Sequence, residues 1–284
     1  MSLAARAADE LPTEREFEFS ARDFERVRRL IHERAGIALG AGKRNMVYSR
    51  LSRRLRALGL ASFGEYLDRL ESAGGPEQVE FVNALTTNLT AFWRESHHFP
   101  VLAAHLKKQA SRGGNQNVWC CAASTGEEPY TIAITALEAG AGGFRLLATD
   151  IDTHVLETAR QGVYTAERIA EVGQDLRRRY FLRNNTGQVK LKSDVVSRVE
   201  FRQLNLLAST WPVKGPFTAI FCRNVMIYFD KPTQYAVLRR LANLLEPGGL
   251  LFAGHSENFS EARGWLRACG KTVYERAESG VRPA

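Results

Sequence analysis

No apolar run in this 284-residue sequence approaches the roughly 20 residues needed to cross a bilayer. The stretch from Met1 to Phe19 carries acidic residues and no continuous apolar segment, so it reads as a flexible tail rather than a secretory leader. Cysteine is scarce. Of the four, Cys120 and Cys121 are adjacent, and none has the spacing of a metal-ligand set or a disulfide framework. Cys121 and Cys222 fall in strand-like apolar runs, where buried free thiols are the ordinary outcome. A cytoplasmic setting without a bound metal is the expectation. Also missing are a Ser-His-Asp or Cys-His constellation for nucleophilic catalysis and the triple-glycine turn of dinucleotide-binding folds.

What is present is an ordinary globular composition with an excess of positive charge. Hydrophobic residues make up 44% and charged residues 25%, enough for a proper core, and the net charge is +8. Such an excess favours an acidic partner. The first part of the chain is helical in pattern. Ser20 to Asp23 offers a cap ahead of Phe24, Val27, Leu30 and Ile31, and Gly36 closes that helix. A second helix is predicted from Gly42 to Leu58, with Met46, Val47, Leu51, Leu55 and Leu58 on one face. Its other face carries Lys43, Arg44, Arg50, Arg53, Arg54 and Arg56 with no acidic residue among them. Two shorter helices follow, Ser62 to Glu71 and one from Pro76 toward Leu85. Residues 20–87 therefore read as a small all-helical domain.

From Val118 short apolar runs alternate with helical segments, the pattern of a doubly wound, mostly parallel α/β sheet over residues 88–284. Asn184 to Gly187 between two short runs predicts a small inserted β-hairpin near 180–202. The first strand-to-helix turn, Trp119 to Pro129, keeps one glycine, Gly126, and carries Glu127 and Glu128 just before a helix predicted to begin at Pro129. Two carboxylates there repel phosphate but suit a cation or an amine. They would equally complement the helix dipole, and spacing does not separate the pair. The second strand ends in Asp150, about 20 residues on, the position of a ribose-hydroxyl reader; Asp152 is better placed to cap the next helix. Asn205 and Leu206 follow a later strand, Arg223 and Asn224 follow another, and Thr86 to Glu95 joins the two domains as a polar stretch suited to lining a cleft.

Taken together, the stretches 86–95, 122–130, 148–152, 205–207, 220–230 and 251–259 resemble the chemotaxis protein methyltransferase (CheR) family, in family order, across about 24–274. One departure is mild: Trp93 stands where the family commonly has Phe. The resemblance implies S-adenosylmethionine as cofactor, with contacts from Asn88, Thr90, Arg94, Glu128, Asp150, Asn205, Leu206, Arg223 and Asn224. It favours Glu128 over Glu127. It implies transfer of a methyl group to glutamates on the cytoplasmic methylation helices of chemoreceptors, a helical domain that contacts them, and a β insert that in some members grips a receptor peptide. A short hairpin argues against such a grip here. Arg50, Arg53, Arg54 and Arg56 become the candidate receptor-binding residues, and the protein is expected to be a monomer that neither enters a membrane nor binds nucleic acid.

An acceptor glutamate, with a pKa of about 4.3, is already ionised at neutral pH and needs no general base. Arg94 and Tyr228 are then the candidate catalytic residues, acting by positioning. A nucleic-acid methyltransferase is the main rival; no Asn-Pro-Pro-aromatic or Pro-Cys motif supports it. A catalytically silent scaffold and a nicotinamide oxidoreductase are weaker alternatives.

Overall fold

The structure, a computed structural model, describes residues 15–72, 74–113, 116–183 and 187–277. It opens with α1 (Ala21–Ala35), α2 (Arg44–Leu58), α3 (Phe63–Ser72) and α4 (Pro76–Leu85). The signals that predict α1 also build it. The Ser20 hydroxyl accepts from the Asp23 amide, the Asp23 carboxylate accepts from the Ser20 amide, and Gly36 ends the helix at φ +69°. Phe24, Val27, Leu30 and Ile31 join Val47, Leu51 and Leu55 of α2 and Phe63 of α3 in one core. No helix among the described residues is long and apolar enough to cross a membrane.

The flexible tail expected over 1–19 is corrected at its end. Residues 1–14 lie outside the described residues, but Phe17 and Phe19 are buried, with the Phe19 and Phe63 rings 4.3 Å apart. Aromatics at alternate positions let an extended segment lay one face on the helical core.

The second part begins with α5 (His98–Ala110) and continues through β1 (Asn117–Cys120), α6 (Glu127–Glu138), β2 (Arg145–Asp150) and α7 (Thr153–Gln161). Next come β3 (Val163–Thr165), α8 (Gln174–Tyr180), β4 (Phe181–Arg183), β5 (Gln188–Leu191) and α9 (Ser193–Val196). The chain ends in β6 (Val199–Gln203), β7 (Phe217–Cys222), α10 (Lys231–Leu244), β8 (Leu245–Ala253), β9 (Leu266–Gly270) and β10 (Val273–Arg276). The main sheet runs β6-β2-β1-β7-β8-β10-β9, with β10 antiparallel to both neighbours and the β6-to-β8 pairs parallel. Alternation divides its side chains. Val118, Cys120, Ala219 and Phe221 enter the core beneath α5 and α6, while Trp119, Cys121, Ile220 and Cys222 enter the one beneath α10. This is the doubly wound, mostly parallel architecture.

The inserted hairpin expected near 180–202 is larger and starts earlier. Its two strands, β4 and β5, are joined by β3 into an antiparallel sheet ordered β3-β5-β4, while Val199–Gln203 belongs to the main sheet. Three residues directly after α7 are too few for their alternation to stand out. With a third strand, shortness no longer argues against a peptide grip.

The helical part packs on the carboxyl end of the sheet. The Ala38 amide donates to the Tyr228 carbonyl at 2.9 Å, and the Asn205 side-chain amide donates to the Arg34 carbonyl at 2.6 Å. A Cβ on Gly36 would lie 2.6 Å from Leu207 and 3.0 Å from Phe229, so both the left-handed turn and the close approach require glycine there.

Candidate active site

β1 leads through α6 to β2 on one side, and its other neighbour, β7, leads through α10 to β8. The crevice above the carboxyl ends of β1 and β7 is the switch point at which open α/β sheets take ligands. A cleft of about 1310 Å³, counting its open mouth, lies there. Asn88, Thr90, Arg94, Glu128, Asp150, Asn205, Leu206, Arg223, Asn224 and Tyr228 all line it. Ile37, Lys43 and Met46 of the helical part complete one wall.

The ambiguity between the two glutamates resolves geometrically. α6 starts at Glu127, two residues before the expected Pro129, because Gly126 at φ +97° already makes the turn and proline is tolerated in a first turn. Glu127 faces away from the cleft, where Arg168 donates to it at 2.7 Å and the Thr125 hydroxyl at 2.6 Å. Glu128 faces the cleft and accepts from the buried Arg223 guanidinium. Burial pushes the Glu128 carboxyl up while Arg223 pulls it back.

Asp150 is held by the chain itself. One carboxylate oxygen accepts from the Ser124 amide at 2.8 Å and the other from the Asp152 amide at 3.0 Å. Each oxygen retains a lone pair for a vicinal diol, and burial raises Asp150 to about 6. Asp152 caps α7, as its position predicts, and its carboxylate also accepts from Thr86 at 2.6 Å and from Asn88 at 2.8 Å. Two residues therefore serve the cleft differently from expectation. The Asn88 amide is turned toward Asp152. The Asn205 side chain accepts from the Leu207 amide at 2.9 Å while donating to Arg34, so it braces the domain junction more than it offers an adenine edge.

Arg223 is the electrostatic centre. Its guanidinium also donates to the Arg94 carbonyl at 2.6 Å and lies 3.3 Å from Glu95. Burial alone would raise Glu95, yet the His255 hydrogen bond and the Arg223 charge hold it at about 2. Glu95 further accepts from Asn224 at 3.2 Å. Glu257 clamps the turn after β7, accepting from the amides of Asn224, Val225, Met226 and Gly254. A Cβ on Gly254 would overlap the Asn224 amide, so the clamp closes tightly. Glu95, Ser124 and Glu257, which sequence reasoning does not single out, hold Arg223, Asp150 and the turn after β7 in place. Both glutamates sit in polar stretches where spacing does not distinguish a buried carboxylate from a surface one.

Glu95, His97 and His98 each bring one potential ligand atom within 4.8 Å of the others. Burial holds His98 down to about 3, so it is neutral, but the Arg223 guanidinium 3.3 Å from Glu95 opposes a dication there.

The four candidate receptor-binding arginines do not form one free stripe. Arg50 donates to the Thr86 carbonyl, Arg54 pairs with Glu77 and Glu80, and Arg56 pairs with Glu16. Arg53 is exposed and has no partner among the described residues. The acidic partners come from elements remote in sequence, out of reach of a pattern read along α2 alone.

The family model described as "CheR methyltransferase, all-alpha domain" matches residues 22–86, and "CheR methyltransferase, SAM binding domain" matches residues 88–275. The "Chemotaxis protein methyltransferase" of Klebsiella aerogenes is 54% identical over 282 residues, covering 96% of this chain and 93% of that protein. The "Chemotaxis protein methyltransferase 2" of Pseudomonas aeruginosa is 52% identical over 269 residues, covering 92% and 95%. The Escherichia coli "Chemotaxis protein methyltransferase" is 52% identical over 258 residues, covering 88% and 89%. The two family models together span residues 22–275, and the chain belongs to the CheR methyltransferase family of S-adenosylmethionine-dependent enzymes.

Proposed function

We propose that the protein transfers a methyl group to glutamate side chains of chemoreceptors, forming methyl esters. One observation carries this reading. The described residues lining the cleft include no histidine, and both of its carboxylates are engaged, Glu128 by Arg223 and Asp150 by backbone amides. A site whose carboxylates are committed, Glu128 to Arg223 and Asp150 to its amides and the ribose, but with Lys43 and Arg94 along its wall, suits an acceptor that arrives already negative. Glutamate meets that requirement, and the relatives' names place them in chemotaxis.

S-adenosylmethionine supplies a methyl group on a sulfonium, which leaves as a neutral thioether. The chain's task is to bind, align and exclude water. In this reading Asp150 takes the ribose hydroxyls, and Leu206 with Ile151 forms apolar walls for the adenine. Arg94 donates to the Leu89 carbonyl at 2.6 Å, closing the junction turn, and in this reading its remaining donors orient the acceptor carboxylate. Tyr228 lines the cleft with its hydroxyl free of hydrogen-bond partners among the described residues, and in this reading it is a second positioning group. Of the α2 arginines, Arg53 has the free charge to complement an acidic receptor helix.

The test is transfer of labelled methyl to a purified receptor cytoplasmic fragment. Alkali-labile label is expected; stable label on nucleic acid would overturn the reading in favour of the rival. With saturating cofactor, Arg94→Ala is expected to lower turnover about 100-fold, since misalignment of the reacting atoms costs that much. Tyr228→Phe should lower it about tenfold through the loss of one hydrogen bond to a charged group. Normal turnover in either variant removes that residue from the positioning role.

Titration of Asp150 sets a second expectation. With its carboxyl at about 6, protonation on acidification removes acceptor capacity from the ribose site. Affinity for S-adenosylhomocysteine should fall about tenfold between pH 8 and pH 5. Asp150→Asn should bind weakly and lose that pH dependence; a variant that kept it would show that another group titrates.

A further inference from the structure

Five large apolar side chains are exposed among the described residues; one of them, Leu89, lines the cleft, and another, Ile227, immediately precedes Tyr228 of its lining. Leu89, 76% exposed, sits between Asn88 and Thr90 and itself lines the cleft; Ile227, 49% exposed, adjoins Tyr228 in the turn after β7. Neither is exposed because its backbone is loose. On the Leu89 side, the Asn88 carbonyl accepts from the Ser124 hydroxyl at 3.0 Å and the Leu89 carbonyl from Arg94. On the other, the Met226 amide donates to Glu257 at 2.8 Å, and its carbonyl accepts from Gln234 at 2.7 Å. The Tyr228 carbonyl is held by Ala38. Half-buried Ile37, Met46 and Tyr228 in the cleft wall extend the apolar character of this rim. Apolar surface held on a fixed backbone at a ligand opening marks a place of contact.

We propose that this rim grips the apolar flank of the helix carrying the acceptor glutamate, with Leu89 and Ile227 as its substrate-selecting residues. The proposal rests on the glutamate-methylating reading above. Charge complementarity identifies the occupant. Lys43, exposed on the cleft wall, has no side-chain partner among the described residues, and neither has Arg53 farther along the same helical part. The matching surface is an amphipathic helix with apolar and acidic residues side by side. On a helix, residues three and four apart are neighbours on one face. An apolar side chain seated on the rim therefore fixes where a glutamate one turn away can reach. A free glutamate, or one in an extended acidic segment, lacks that anchor.

The experiment uses the full chain, a purified receptor cytoplasmic fragment and S-adenosylhomocysteine. In Leu89→Ser/Ile227→Ser the KM for the fragment is expected to rise about tenfold, the loss of two apolar contacts, while kcat stays within about twofold. Affinity for S-adenosylhomocysteine should be unchanged. Leu89→Met/Ile227→Met should keep the wild-type KM. An unchanged KM in the serine variant, with wild-type enzyme labelling the fragment, overturns the rim alone. Lost S-adenosylhomocysteine binding also overturns it, because Leu89 would then belong to the cofactor site. A wild-type enzyme that leaves no alkali-labile label on the fragment overturns both this proposal and the function on which it rests.

Discussion

Arg223→Ala is expected to destabilise the protein by about 3–5 kcal/mol, the usual cost of removing one partner from a buried ion pair, and to abolish cofactor binding. The Arg223 side chain is fully buried between Glu128 and Glu95 and also satisfies the Arg94 carbonyl. Its loss would leave Glu128 buried with the weak Cys120 thiol contact at 3.4 Å. Burial already raises that carboxyl, and losing the guanidinium removes the strongest pull against it, so its charge is held less firmly. Glu128→Gln should be milder, because Arg223 would keep Glu95. Urea unfolding and calorimetry with S-adenosylhomocysteine measure both effects. A loss below about 1 kcal/mol, the range of exposed pairs, would show that the pair is not the buried centre described above.

Glu257→Ala should be comparably severe for a different reason. One carboxylate satisfies four backbone amides, those of Asn224, Val225, Met226 and Gly254. An orphaned buried donor costs about 1–3 kcal/mol. Water entering the vacated space offsets part of the sum, so a net loss of about 3 kcal/mol is expected, at the lower end of the range for a broken buried network. Turnover should fall as well, because the same turn carries Tyr228. Glu257→Gln keeps one acceptor oxygen and should lie between alanine and wild type. Retention of wild-type stability and kcat in Glu257→Ala would refute the clamp.

Local rules wrote much of the fold into the sequence. Ser20, Asp23 and Gly36 act within one helix, and period-two burial in Val118 to Cys121 reflects one strand between two layers. The candidate site was legible where strand ends announce themselves, as at Asp150 and Arg223. The readings that changed depend on contacts remote in sequence. Arg54 looked free because Glu77 and Glu80 lie on another helix, and Asn205 looked available because Arg34 lies 171 residues away. β3 escaped notice because three residues are stabilised by pairing with β5, not by their own pattern. Glu127 and Glu128, equal as neighbours in sequence, are separated by helix geometry that turns one toward Arg168 and the other toward Arg223.

Ile37, Lys43 and Met46 place one wall of the cofactor cleft in the helical part, across a seam fastened by Ala38 to Tyr228 and Asn205 to Arg34. A ligand gripped from both sides of a seam acts by mass action on the assembly as a whole. At a concentration 100 times its Kd it adds about 2.7 kcal/mol to the stability of whatever must be folded to hold it. A ligand bound there would fasten the two parts to each other as well as stabilise each.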